Sequence, residues 1–165
     1  MKEMTCCFTG HRQTPSEYLP AISKKLRDTL NFYIGQGYRY LGAGGALGFD
    51  TLAAQIVLEL KQQYPDIKLV LVLPCKDQAS HCIVQDKEAY EQIKARADKI
   101  VYTSERYFNG CMQKRNRHLV EHSSLCICYL NKTTGETAYT VDYAMKKDLK
   151  IFNCCQDRVF VSSKP

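Results

Sequence analysis

Residues 67–73 read Ile-Lys-Leu-Val-Leu-Val-Leu, a nearly all-apolar run of the kind expected where a strand is covered on both faces. Other short apolar runs lie at 4–9, 38–41, 99–102, 125–130 and 150–153. Between them apolar residues recur at helical spacing. Leu19, Ile22, Leu26, Leu30 and Tyr33 make one such face, closed by Gly35 and Gly37. Leu52, Ala53, Ile56, Val57 and Leu60 make a second, and residues 87–97, 110–122 and 136–147 complete the set. Thr14-Pro15-Ser16-Glu17 fits a capping box that would start the first helix at Thr14. Strands alternating with helices predict an α/β fold, a doubly wound and mainly parallel sheet of Rossmann-like type with helices on both faces.

The 165 residues show no repeat, low-complexity tract or linker, so a single domain over 1–165 is expected. The last dozen residues would add an edge strand or form a loose tail. No apolar run approaches the ~18 residues of a membrane span, and the first ten residues do not resemble a signal peptide. The expectation is a soluble, cytoplasmic protein with no membrane partner. Nine cysteines are present, an odd number with no C-x-x-C pair, and most sit in apolar, strand-like runs. That pattern suits small buried hydrophobes in a reducing compartment better than disulfides or zinc. With 23 Lys+Arg against 17 Asp+Glu the net charge is +6, which makes an anionic partner plausible without naming it.

In a doubly wound fold ligands sit outside the carboxyl ends of the strands. Four loops qualify here: Gly10-His11-Arg12, residues 42–50, residues 74–76 and residues 131–137. The second, Gly42-Ala43-Gly44-Gly45-Ala46-Leu47-Gly48-Phe49-Asp50, joins a strand to an amphipathic helix. Glycines there let backbone approach a phosphate, and the amides at the helix start point toward it; a tight turn would use glycines equally well. No Lys-Ser/Thr follows the last glycine, which disfavours a P-loop, and the spacing does not match a first-strand dinucleotide fingerprint. Asp50 is either a partner of the helix dipole or an acceptor for a ribose hydroxyl.

Four segments together resemble the SLOG superfamily, the Rossmann-like group of DprA-type, cytokinin-activating LOG-type and YpsA-type proteins. Phe8-Thr9-Gly10-His11-Arg12 is similar to the opening signature of the YpsA-type branch. Gly44-Gly45-Ala46-Leu47-Gly48-Phe49-Asp50 resembles the G-G-A-x-G-h-D segment shared with the DprA type. Arg115-Asn116-Arg117-His118-Leu119-Val120 resembles an R-N-x-x-h-V helix, and Gly135-Glu136-Thr137-Ala138-Tyr139-Thr140-Val141 a G-G-T-A-x-T-V segment. The resemblance implies a domain that binds a phosphate-bearing nucleotide or a derivative such as an ADP-ribose-like molecule. It puts phosphates at Gly44, Gly45 and Gly48, a second cradle at Gly135 and Thr137, and charged clamps at Arg12 and Arg115, with Gly10, His11, Asp50 and Asn116 beside them. Glu136 departs from the pattern by standing where glycine is usual, and it would repel a phosphate unless turned away or bound to a ribose hydroxyl.

LOG-type enzymes cleave the N-glycosidic bond of a nucleoside monophosphate with an M-x-x-R-K helix and a P-G-G-x-G-T-x-E-E segment. Met112-Gln113-Lys114-Arg115-Asn116 partly matches the first, but Ala138-Tyr139-Thr140 follows Thr137, so the glutamate pair is missing. A binding or sensor domain is therefore preferred, with hydrolysis and single-stranded nucleic-acid binding as alternatives. No cofactor is required by this reading; the expected occupant is the nucleotide-derived ligand. His11 could meet a phosphate, act as an acid or hydrogen-bond loop backbone. His118 and His122 lie one helical turn apart without a visible third metal ligand. The helix over 110–122 leaves room for a homo-oligomer.

Overall fold

A computed structural model describes residues 1–76 and 84–155. Cys82 and the tail beyond residue 155, expected as an edge strand or loose, lie outside the described residues. Six strands form one parallel sheet: β1 (Thr5–Gly10), β2 (Tyr40–Ala43), β3 (Lys68–Leu73), β4 (Lys99–Tyr102), β5 (Leu125–Tyr129) and β6 (Lys150–Asn153). Their order across the sheet is β4-β3-β2-β1-β5-β6. Five helices connect them: α1 (Leu19–Gly35), α2 (Phe49–Leu60), α3 (Val84–Arg96), α4 (Cys111–Glu121) and α5 (Glu136–Lys146). This is the doubly wound Rossmann-like arrangement that the alternation of elements predicts.

The two-residue period of the central strands divides the core into two layers. Cys6, Phe8, Leu125, Ile127 and Tyr129 face α1 and α2, where Ile22, Leu26, Leu30, Ala53, Ile56 and Val57 pack on them. Cys7, Cys126 and Cys128 face the other way, onto Leu119 and Val120 of α4 and Val141 and Ala144 of α5. All five residues of β5 are buried, as a strand covered on both sides requires. Cysteine is thus a small apolar filler where α4 and α5 approach the sheet. Burial raises the Cys6 and Cys128 thiols and pushes Cys154 up to about 12. Cys126 is raised first by its hydrogen bond with Cys7 and then by burial. Cys6, Cys126, Cys128 and Cys154 should therefore stay unmodified by iodoacetamide at pH 8 in the native protein and react only after unfolding. Peptide mapping checks this; rapid native labelling of any of the four would show that the core opens.

Boundaries differ from the sequence expectation at β2, which runs Tyr40–Ala43 rather than 38–41, at α3, which begins at Val84 rather than 87, and at the start of α1. The chain makes a short 3₁₀ turn at Ser16–Tyr18, and α1 begins at Leu19 without a side-chain cap. Pro20 is the reason. In a helix started at Thr14, Pro20 would fall inside, where its missing N–H and its ring conflict with the carbonyl four residues back. Starting at Leu19 puts the proline in the first turn, where no N–H is needed. No helix among the described residues is long and apolar enough to cross a membrane.

Candidate functional site

From β1 the chain builds the sheet outward through β2, β3 and β4, then crosses back to place β5 on the other side of β1. The two strands are paired from Cys6↔Leu125 to Gly10↔Tyr129, so the loops leaving them diverge from neighbouring points. A cleft of about 550 Å³ opens there, at the topological switch point. Thr9, Gly10, His11 and Arg12 line it from the end of β1, and Ala46 and Asp50 from the loop and first turn of α2. Arg115 and Asn116 come from α4, and Lys132, Thr134, Gly135, Glu136 and Thr137 from the loop and start of α5. Asn153 fixes the exit of β5: its amide donates to Leu130 O at 2.9 Å and accepts from Leu130 N–H at 3.1 Å.

The glycine loop serves the cleft from behind. Gly44, Gly45 and Gly48 are not among its lining residues; Ala46 and Asp50 are. Gly48 has φ +77°, and a Cβ there would lie 2.5 Å from His11 O and closer still to Arg12 O. Beside it Phe49 N–H donates to His11 O at 3.2 Å, so α2 starts in direct backbone contact with the loop after β1. At Gly44 a Cβ would lie 2.7 Å from Arg115 Nη1, and that guanidinium donates to Gly44 O. Arg115 Nε also donates to Asn116 Oδ1 at 2.7 Å, and Thr51 Oγ1 to Ala46 O at 2.9 Å. Gly44 is thus needed for close packing against the buried Arg115, and Gly48 for close packing against the loop after β1.

Arg115 is only 3% exposed, and burial pushes its guanidinium below the ordinary value against the pull of Asp50 and Glu136. Asp50 is buried at 6% exposure, and its Oδ1 has no hydrogen-bond partner among the described residues. Burial raises its carboxyl from 3.8 to about 6, although Arg115, the amides of Ala46 and Gly44, and Arg12 all favour the charged form. Arg12, Lys132 and Glu136 stand exposed around the cleft, and Glu136 accepts a long contact of 3.4 Å from Gln113. Thr137 is buried behind them. In α5 the first helical bond runs from Tyr139 N–H to Gly135 O at 3.0 Å. The amides of Glu136, Thr137 and Ala138 precede it and have no acceptor in the helix.

His11 accepts from Asn131 N–H through Nε2 at 3.2 Å and sits edge-on to Tyr129. Burial first, then Lys132, lowers its pKa, so the ring is neutral at pH 7 and ties the loop after β5 to the loop after β1. Tyr129 is buried and stacks on Phe49 at 6.3 Å, which makes it a core residue. The loop at 74–76 stays away from the cleft; Lys76 pairs with Glu105 at 3.1 Å. His118 and His122 stack at 4.0 Å along a separate groove. Among the described residues no cluster of His, Cys, Asp and Glu could hold a metal ion. Sequence reasoning did not single out Thr9, Ala46, Lys132 and Thr134. Ala46, Lys132 and Thr134 lie in strand-end loops that the sequence does mark, but which residues of those loops meet becomes readable only once β5 is known to lie beside β1.

A parallel six-stranded sheet with a cleft at its switch point, framed by two helix starts, defines a Rossmann-like domain. The chain belongs to the YspA SLOG family, whose family model matches residues 6–155. It is 30% identical over 129 residues to a UPF0398 protein of Bacillus thuringiensis (strain Al Hakam), covering 76% of this chain and 70% of the relative. A UPF0398 protein of Bacillus cereus (strain AH187) matches with the same 30% identity over 129 residues. Among solved structures, DNA processing protein A from Helicobacter pylori, described for its mode of single-stranded DNA binding, superposes with a TM-score of 0.67 at 18% identity. That match covers 92% of this chain and 65% of the Helicobacter chain, and it shows a shared fold.

Proposed function

We propose that the cleft binds a phosphate-bearing nucleotide or nucleotide-derived ligand, ADP-ribose-like in its chemistry, and that the protein works as a binding or sensing domain. One observation carries this reading: the first turns of α2 and α5 converge on a single cleft whose rim adds Arg12 and Lys132. Unpaired amides and the positive ends of two helix dipoles favour an anion there. Arginine and lysine add charge-assisted bonds to phosphate oxygens. Arg115 supports the site from beneath, because its donors already hold Gly44 and Asn116.

A thermal-shift series with AMP, ADP, ADP-ribose, NAD and adenosine tests the reading. A ligand at about a hundred times its Kd stabilises by ~2.7 kcal/mol, several degrees for a domain of this size. The phosphorylated compounds should raise Tm and adenosine should not. Equal shifts with adenosine, or none at all, would contradict an anion cleft. Chromatography of the same samples for free base separates binding from hydrolysis. Single-stranded nucleic acid is a second reading, supported by the fold shared with the Helicobacter protein and by the +6 charge. A deoxyoligonucleotide shift that collapses with added salt would favour it.

A further inference from the structure

We infer that Asp50 reads the sugar of the bound ligand: its carboxylate accepts a hydrogen bond from a ribose hydroxyl, so the cleft takes ribonucleotides in preference to deoxyribonucleotides. The inference rests on the nucleotide reading above and deepens it. Asp50 lines the cleft from the first turn of α2, is buried, and leaves Oδ1 without a partner among the described residues. An ionised carboxylate is purely an acceptor, and one left unpaired when buried is costly. The group that completes it must therefore be a donor. A phosphate oxygen cannot fill that role and would be repelled.

Burial disfavours the charged form and raises the carboxyl to about 6, which still leaves it ionised and accepting at pH 7. Arg115 on α4, Arg12 after β1 and the amides of Ala46 and Gly44 all stabilise a carboxylate at this point. Glu136 on α5 is the opposing charge in the cleft and lies exposed at its rim. Asp50 also belongs to the first turn of α2. In a nucleotide the hydroxyl-bearing group adjacent to a phosphate is the sugar, whereas the base lies further away. A ligand held by phosphate at the helix starts thus brings a sugar hydroxyl, rather than a base amine, to the Asp50 carboxylate that lines the cleft.

The test measures affinity by calorimetry for AMP, its 2′-deoxy and 3′-deoxy forms, ribose 5-phosphate and 2-deoxyribose 5-phosphate. The two sugar phosphates remove any dependence on the base. A hydrogen bond to a charged group corresponds to about ten- to a hundredfold in affinity. The parent should lose that much with a deoxy form, and Asp50→Leu should bind ribo and deoxy forms alike while still binding inorganic pyrophosphate. Circular dichroism and Tm confirm that the variant is folded; should it fail to fold, Asp50→Asn is measured in its place and should narrow the preference. Equal binding of ribo and deoxy forms by the parent would overturn the inference and leave the phosphate cleft standing. Ribose preference retained in the variant would also overturn it. No binding of any phosphorylated compound would overturn both readings together.

Discussion

Gly48→Ala should unfold at markedly lower urea than the parent. Its backbone has φ +77°, a region that costs an L-residue energy, and the new Cβ would press on the carbonyls of His11 and Arg12. Backbone has no rotamer by which to escape, so the loop after β1 and the start of α2 must separate. Left-handed strain and overpacking together suggest a loss of roughly 2–5 kcal/mol. Gly135→Ala is the informative control. It also has positive φ, +103°, but nothing lies within 4 Å of its Cβ position. That variant should lose only the conformational part, about 1–2 kcal/mol. Equal losses in the two variants would mean that the contact between Gly48 and the first loop contributes nothing.

Asp50→Asn should have the opposite sign and stabilise the unliganded protein at pH 7. The folded carboxyl holds its proton up to about pH 6, whereas the unfolded one releases it near 3.8. Between those values the native state binds more protons than the unfolded state, so stability falls as pH rises through the window. Above it the loss is complete, about 3 kcal/mol, and this already includes the favourable pull of Arg115. Asparagine has no proton to lose. The difference in unfolding free energy between variant and parent should therefore grow from pH 4 to pH 6 and then level off. A parallel pair of profiles, or a destabilised variant at pH 7, would show that Asp50 is satisfied in the native state. A carboxylate that weakens the free protein yet faces the cleft is what a ligand-completed position requires.

The sheet was legible in the sequence because its strands are short apolar runs, continuous where both faces are covered and shorter at the two less buried edges. The run at 67–73 becomes Lys68–Leu73, and the runs at 99–102 and 150–153 coincide with β4 and β6. The start of α1 was not legible from the capping box alone, since Pro20 further along decides where the helix can begin. Strand order left no local trace. That is why four loops qualified in the sequence while the cleft draws on those after β1, β2 and β5. The partner of Gly44 left no local trace either. The spacing of the loop glycines is compatible with phosphate contact, but Arg115, seventy-one residues away from Gly44, occupies the space that Gly44 leaves. Most of the described cysteines, and His11, follow the sequence reading in its plainer form, as small core residues and as a histidine bonded to loop backbone.

Phosphate is expected between the starts of α2 and α5. Titrating ¹⁵N-labelled protein with AMP and following each backbone amide by NMR tests it most directly. The largest shifts are expected at Glu136, Thr137 and Ala138 and across residues 46–51, with saturation at one common Kd. Saturable shifts confined to other parts of the chain, with these amides unmoved, would contradict it.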